Sequence, residues 1–150
     1  MDATPVIVDE PLPQMPRLDV RFEGGVVMQG VAISRQNPVA GSDLVLEIDW
    51  QRDAQIEKGL GIFMHIEGGS GMNGDHVLLS QVLDLEDAPP GKTLRDVMPL
   101  WVPEDSAGKT WKVWVGLWRV RHGGERVHVV DRGQATVDDD RVLAVSYKAQ

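Results

Sequence analysis

The strongest constraint on the fold is a series of short β-forming runs that turn residues interrupt along most of the chain. Glycine, proline, asparagine and aspartate supply the interruptions, because their backbone preferences favour turns over continued strands. In the run from Leu44 to Trp50, large apolar side chains occupy every second position, which is the period of a half-buried strand. The pattern predicts an all-β, antiparallel β-sandwich, immunoglobulin-like or jelly-roll-like, with about eight or nine strands.

Nine segments have the length and composition expected of those strands. They are Leu18–Phe22, Val26–Ile33, Leu44–Trp50, Gly61–Glu67, His76–Leu85, Leu94–Val102, Trp111–Arg121, Arg126–Asp131 and Val142–Lys148. The stretch from His76 to Asp87 is ambiguous, because its apolar residues would also line one face of a short helix. We favour a strand there.

The first 16 residues differ from the rest of the chain. They hold four of the nine prolines, three acidic residues and no basic residue. Proline fixes the backbone angle φ and removes a hydrogen-bond donor, so this stretch predicts an extended arm or linker. Residues 17–150 are then expected to form one β-sandwich domain.

Charge and composition exclude several classes of function. Fifteen Lys and Arg residues stand against 23 Asp and Glu residues, which gives a net charge of −8. Nucleic-acid binding is unfavourable with this balance, because it draws on cationic side chains. No cysteine is present, which excludes disulfides, thiolate metal sites and thiol nucleophiles. No apolar run reaches the roughly 20 residues of a membrane-spanning helix, and no signal peptide is visible in this chain.

The sequence motifs of catalysis and metal binding are weak. Residues Gly69 to Gly74 match G-x-G-x-x-G, but without the following strand–helix alternation we interpret them as a hairpin loop. Ser70 lacks the glycine that a nucleophile elbow needs two residues later. The four histidines lack the spacing of a transition-metal site, and we interpret Asp138–Asp140 as a solvated turn rather than a calcium loop. We therefore predict no catalytic residue, metal ligand or cofactor.

The segment from Trp111 to Arg121 is the most informative predicted strand, because it is apolar on both faces. Alternation places three aliphatic residues on one face and Trp114 and Trp118 on the other. A tryptophan face of this kind is either buried under a neighbouring loop or subunit, or exposed as a flat platform for a sugar ring or a partner protein. On the predicted strand Gly61–Glu67, His65 faces away from its neighbour Met64.

Several segments, read in order, resemble a recurring bacterial β-sandwich module. They are Phe22–Gly30, the Leu44–Trp50 strand, Phe63–Ile66, Gln81 with Asp84, Pro90–Asp96, Val102–Pro103, Val113–Trp118 and Gly124–Val127. These segments are similar to the module's opening strand pair, "F-x-H-L" strand, "P-G-x-x-x-x-D" turn, "V-x-V-G-L-Y" strand and "G-E-R-L" hairpin. The resemblance covers about residues 20 to 148. It departs at Ala88–Pro89, where the module often has a tryptophan.

The module is found in the soluble C-terminal region of bacterial membrane glycosyltransferases resembling protein mannosyltransferases, and in uncharacterised envelope proteins. More distantly, the arrangement is similar to glycan-binding domains of O-antigen exporters. The resemblance implies a fold and a setting at the periplasmic face or in a membrane-associated complex. It implies no catalytic residue, because the membrane-embedded catalytic half of those enzymes is absent.

Three functional hypotheses follow. The first is a non-catalytic structural module that binds a protein partner, as an accessory subunit of a membrane-associated or envelope assembly. The second is a carbohydrate-binding module in which exposed tryptophans stack on sugar rings. For both, the candidate binding residues are Trp114, Trp118, Phe63 and His65. The third is a glycan-active enzyme whose scattered carboxylates meet only in the folded chain.

Overall fold

A computed structural model describes residues 6–8, 15–35, 38–67, 89–119 and 123–150. Within these ranges the chain is built from strands, with one short 3-10 turn at Glu104–Ser106. The strands are β1 (Val6–Val8), β2 (Arg17–Phe22), β3 (Val26–Ile33), β4 (Ser42–Arg52), β5 (Leu60–Glu67), β6 (Thr93–Val102), β7 (Thr110–Arg119), β8 (Glu125–Arg126), β9 (Val129–Asp131), β10 (Val137–Asp138) and β11 (Arg141–Lys148).

These strands form two antiparallel sheets that pack face to face, which confirms the predicted β-sandwich. The first sheet has the order β1-β6-β4-β3-β2-β9. The second has the order β10-β11-β7-β5, and β8 also pairs with β7. No helix in the described part of the chain is long and apolar enough to span a bilayer.

One hydrophobic core joins the two sheets, and period-two alternation places its side chains. The even-numbered apolar residues of β4, from Leu44 to Trp50, are all fully buried in it, as the sequence predicts. The opposite sheet contributes the odd-numbered aliphatic residues of β7, and β5 contributes Met64. The faces predicted for β7 are therefore correct: Val113, Val115 and Leu117 point inward, and the tryptophans at positions 114 and 118 point away.

A carboxyl group interrupts the apolar face of β6. Asp96 pairs in register with the core residue Ile48, so its side chain points between the sheets. It is fully buried, and neither carboxyl oxygen has a hydrogen-bond partner. Burial raises the pKa of Asp96 to about 6, because desolvation disfavours the charged carboxylate.

Two described parts of the N-terminal arm pack on the sandwich. Val6–Val8 forms β1, which pairs with Thr93–Arg95 at the edge of the first sheet. Met15 is 3% exposed, and its side chain lies against Gly30 on β3. A Cβ atom at Gly30 would lie 3.0 Å from the Met15 side chain. Because glycine has no side chain, the arm can pack closely against β3 at this position.

The described ranges contain eleven strands rather than the predicted eight or nine. The extra ones are short: β1 in the arm, and β10 in the hairpin that leads into β11. The predicted strand Arg126–Asp131 divides into β8 and β9, which belong to different sheets. The chain switches sheets at Val127, which is fully buried and donates its backbone N–H to Leu117. The predicted strand His76–Leu85 and the glycine motif Gly69–Gly74 lie outside the described residues.

Candidate functional site

All four predicted binding residues lie on the outer face of the second sheet. β5 carries Phe63 and His65, and β7 carries Trp114 and Trp118. The antiparallel register pairs His65 directly with Trp114 and places the other two aromatic residues opposite glycines. The fold therefore brings together residues that lie about fifty positions apart in the chain.

Two reciprocal glycine–aromatic pairs shape this face. Phe63 pairs with Gly116, and Trp118 pairs with Gly61. A Cβ atom at Gly116 would lie 2.4 Å from Cζ of Phe63, and one at Gly61 would lie 2.4 Å from Nε1 of Trp118. The rings therefore lie against the sheet backbone in space that any other residue type would fill.

Exposure differs among the four residues. Phe63 is 4% exposed and Trp114 is 6% exposed, whereas His65 and Trp118 are half-buried. Of the two arrangements considered for the tryptophan face, Trp114 thus adopts the buried one, and Trp118 lies at the border of the exposed surface. The most exposed of the five tryptophans is Trp101, on the outer face of the first sheet, at 56%.

Two arginines cover the buried rings. The guanidinium carbon of Arg126 lies 5.0 Å from the ring centroid of Phe63. That of Arg141 lies 4.8 Å from the ring of Trp114. Both distances allow a cation–π interaction, which strengthens as the pair is removed from water. Phe63 and His65 add a tilted ring contact, with centroids 4.8 Å apart. We call these six residues the aromatic–arginine face: Phe63, His65, Trp114, Trp118, Arg126 and Arg141.

The turn between β10 and β11 holds both arginines. Arg126 donates to the carboxylate of Asp139 at 2.6 Å and to the backbone carbonyl of Asp139 at 2.8 Å. Arg141 donates to the carboxylate of Asp138 at 3.1 Å. Asp139 and Asp140 have φ angles of 52° and 58°, the left-handed conformation that a two-residue hairpin turn of type I′ requires.

The third aspartate of the turn contacts a histidine. Asp140 lies 2.8 Å from Nδ1 of His128 and accepts the backbone N–H of Val129 at 3.0 Å. The hydrogen bond to Asp140 raises the pKa of His128. The same bond and that from Val129 lower the pKa of Asp140, although partial burial opposes the change. Each of these carboxylates thus faces a different basic side chain, and the described residues hold no group of three side chains suited to a metal ion.

His65 also belongs to this network. Nη1 of Arg141 lies 3.3 Å from Nδ1 of His65. A guanidinium group only donates, so the imidazole accepts at Nδ1 and carries its proton on Nε2. Protonation of Nδ1 would remove this contact and set two positive charges side by side.

A shallow groove of about 190 Å³ opens on the aromatic–arginine face. It is lined by Phe63, His65, Trp118, Gly124 and Arg126. Drug-sized ligands occupy pockets of roughly 300–1,000 Å³, so this groove accommodates one protruding side chain or one ring of a larger partner.

The sequence analysis proposed the aromatic residues and His65 as binding residues, and these lie on one face; it did not identify the groups that position them. The arginines and the acidic turn were not predicted as parts of the site, because their contacts depend on how β8 and β11 meet β5 and β7. One local signal was available: glycine, any residue, aromatic occurs both at Gly61–Phe63 and at Gly116–Trp118. In an antiparallel pair, that repeat sets each ring opposite a glycine.

No model of a known protein family matches this chain. No curated protein matches it either.

Proposed function

We propose that the protein is a non-catalytic β-sandwich module that binds a protein partner through its aromatic–arginine face. The proposal includes a role as an accessory subunit of a membrane-associated or envelope assembly, at the periplasmic face. The sequence resemblance supports the setting, and the geometry of the second sheet supports the binding role. The proposal assigns no catalytic step and no cofactor.

The observation that carries the proposal is the covering of the rings by arginines that are themselves held in place. Tryptophan and arginine are enriched among the residues that dominate binding energy at protein interfaces. Here the side chains are fixed before any partner arrives, by the carboxylates of Asp138 and Asp139 and by the sheet beneath. Fixing them in advance lowers the conformational entropy lost on binding.

The groove supports a protein partner over a free small molecule. Its volume of about 190 Å³ suits one inserted side chain, which Trp118, His65 and Arg126 would surround. The extended arm is not part of the proposed binding surface, because Val6–Val8 pairs with this molecule's own β6.

Affinity purification from the native membrane fraction, followed by mass spectrometry, tests the proposal. Trp118→Ala and Arg126→Ala remove two walls of the groove and leave the buried Trp114 in place. We expect each variant to lose the partner and to retain a wild-type circular-dichroism spectrum. Arg132→Ala, at an exposed arginine outside the aromatic–arginine face, is the matched control and should retain the partner. Recovery of the same partners by all three variants would contradict the proposal.

Carbohydrate binding is the second candidate, and one observation favours it. Trp118 is half-buried and borders a groove that also holds His65 and Arg126, a mixture of a ring with polar donors that suits a sugar. The faces of Phe63 and Trp114 are less available, because guanidinium groups cover them. A glycan array combined with tryptophan-fluorescence titration tests this candidate, and Trp118→Ala should abolish any signal. No response to envelope polysaccharides would remove it.

A further inference from the structure

A second groove, unrelated to the aromatic–arginine face, opens between the two sheets at their other side. Its volume is about 340 Å³. Residues 31–33 of β3 line it from the first sheet and residues 144–146 of β11 from the second, together with Pro16 and Leu18. The side chains that line it are apolar except for the hydroxyl group of Ser146, and its surface also includes polar atoms. We call it the strand groove.

Among the described residues, both walls of the strand groove are strand edges without a neighbouring strand. The pairing of β2 with β3 begins at Arg17 and Gly30, so within the described residues no strand lies beside residues 31–33 on that side. Pro16 marks this limit, since proline has no N–H to donate. Similarly, β10 pairs only with Arg141 and Val142 of β11, and no described strand continues along residues 144–148.

β-Bulges occur beside both edges. The register of β2 shifts between Arg17 and Val20, and the register of β11 shifts between Leu143 and Val145. A bulge bends its strand and interrupts the ladder at that point. The partly buried residues Leu18, Ile33 and Val145, which pack against the core, line the groove between the two bulges.

Three basic residues lie next to the lining segments in a strongly acidic protein. Arg17, Arg35 and Lys148 flank these segments along the chain, against the acids Asp19 and Glu47, the second of which pairs in register with Ala32. Arg17 is paired with Asp19 at 2.7 Å, whereas no described acid pairs with Arg35 or Lys148. The protein as a whole carries a net charge of −8, so this local excess of bases is opposite to the overall balance.

We propose that the strand groove binds an extended peptide segment of a partner protein by strand addition. The segment has alternating apolar side chains that enter the groove, and acidic residues at its ends that face the flanking bases. Unpaired backbone N–H and C=O groups at an edge are satisfied by another backbone, which distinguishes a peptide from an apolar small molecule. The domain already uses this mode once, where β1 adds to the edge of β6.

Titration with designed peptides tests the proposal on the full chain. The probe is a synthetic peptide of nine residues in all. It has two acidic residues at each end, and valine and threonine alternate between them. Two further peptides carry N-methyl groups on alternate residues, in opposite phase. In an antiparallel ladder only alternate residues of the added strand bond to the edge, so we expect one phase to weaken binding by about tenfold or more and the other to leave it unchanged.

Protein variants locate the site. Ala144→Leu places extra volume in the groove and should weaken binding of the unmodified peptide at least about tenfold. Ala54→Leu, at an exposed alanine outside the groove, is the matched control and should bind like the wild type. If Ala144→Leu does not fold, amide hydrogen exchange of the wild type decides instead, with peptide-induced protection expected at residues 31–33 and 144–146. Reversal of the terminal charges of the peptide should weaken binding most at low salt.

Several results would overturn the assignment. They are the absence of peptide binding at roughly 1 mM, equal affinity for the two N-methylated phases, and protection elsewhere in the protein. Binding of a fatty acid without binding of the peptide would assign the groove to an apolar ligand instead. Self-association that Ala144→Leu abolishes would assign it to a second copy of this chain.

Discussion

The buried carboxyl group of Asp96 gives this protein a specific dependence of stability on pH. It lies between the two sheets with neither oxygen hydrogen-bonded. The folded protein holds the proton of this group more tightly than the unfolded chain does, since the pKa rises from 3.8 to about 6. The contribution of this group to the free energy of unfolding is therefore greatest at low pH. It decreases by about 3 kcal/mol in all as the pH rises from near 4 to above 6.

Asp96→Asn should remove this dependence, because an amide does not ionise in that range. We expect the free energy of unfolding of the variant to change little between pH 4 and pH 7 from this source, while that of the wild type decreases by about 2 kcal/mol. Urea denaturation at both pH values measures the difference. Asp105→Asn, at an exposed aspartate, is the control and should follow the wild-type profile. Parallel profiles for the wild type and Asp96→Asn would show that the carboxyl group is solvated or paired in solution.

The glycine–aromatic pairs lead to a second prediction at the scale of single residues. A Cβ atom at Gly116 would lie 2.4 Å from the Phe63 ring, so Gly116→Ala displaces that ring and its covering arginine. We expect the free energy of unfolding to fall by about 1–3 kcal/mol. In a Phe63→Ala background the same substitution should cost far less, because the obstructing ring is gone. Additive effects in this double-mutant cycle would contradict the packing described.

At the scale of elements, the hairpin of β10 and β11 links an acidic turn to the aromatic surface. Asp139→Asn keeps a residue type that tolerates positive φ and removes the charge that faces Arg126. Because Asp139 is 74% exposed, we expect stability to change by less than about 1 kcal/mol. We expect the main effect to be a change in the position of the Arg126 side chain. Loss of the upfield shift that the Phe63 ring causes in Arg126 side-chain protons would report this change by NMR. An unchanged shift would show that the carboxylate charge of Asp139 does not position this arginine.

Strand alternation explains which elements could be predicted from the sequence. β4 was predictable, because one of its faces is apolar and the core must be on that side. β7 is apolar on both faces, and its assignment rested on separating the aliphatic residues of one face from the tryptophans of the other. β1 was not predictable. The prolines around it indicate an extended arm more strongly than its three β-branched residues, Val6, Ile7 and Val8, indicate a strand. The covering of Phe63 and Trp114 was not predictable either, since the arginines come from strands far away in the chain and a local pattern contains no register between strands.

At the scale of the whole molecule, one core connects the sheets, and the protein should unfold in a single transition. Trp50 reports on the first sheet and Trp111 on the second, and both belong to the same buried cluster. We therefore expect tryptophan fluorescence and far-ultraviolet circular dichroism to give coincident urea curves. Separate midpoints would contradict a shared core. Because most strand pairs join distant segments, folding should take milliseconds to seconds, measured by stopped-flow fluorescence.

The position of β1 bears on how the protein is best attached to a surface for binding measurements. β1 lies at the border of the first sheet, beside β6, whereas the aromatic–arginine face is on the outside of the second sheet. β1 therefore belongs to the other layer of the sandwich. Coupling the protein to a biosensor chip through surface lysines would obstruct the aromatic–arginine face, because Lys112 lies on β7 itself, whereas a tether placed on the first sheet leaves Trp118 and Arg126 accessible to the analyte.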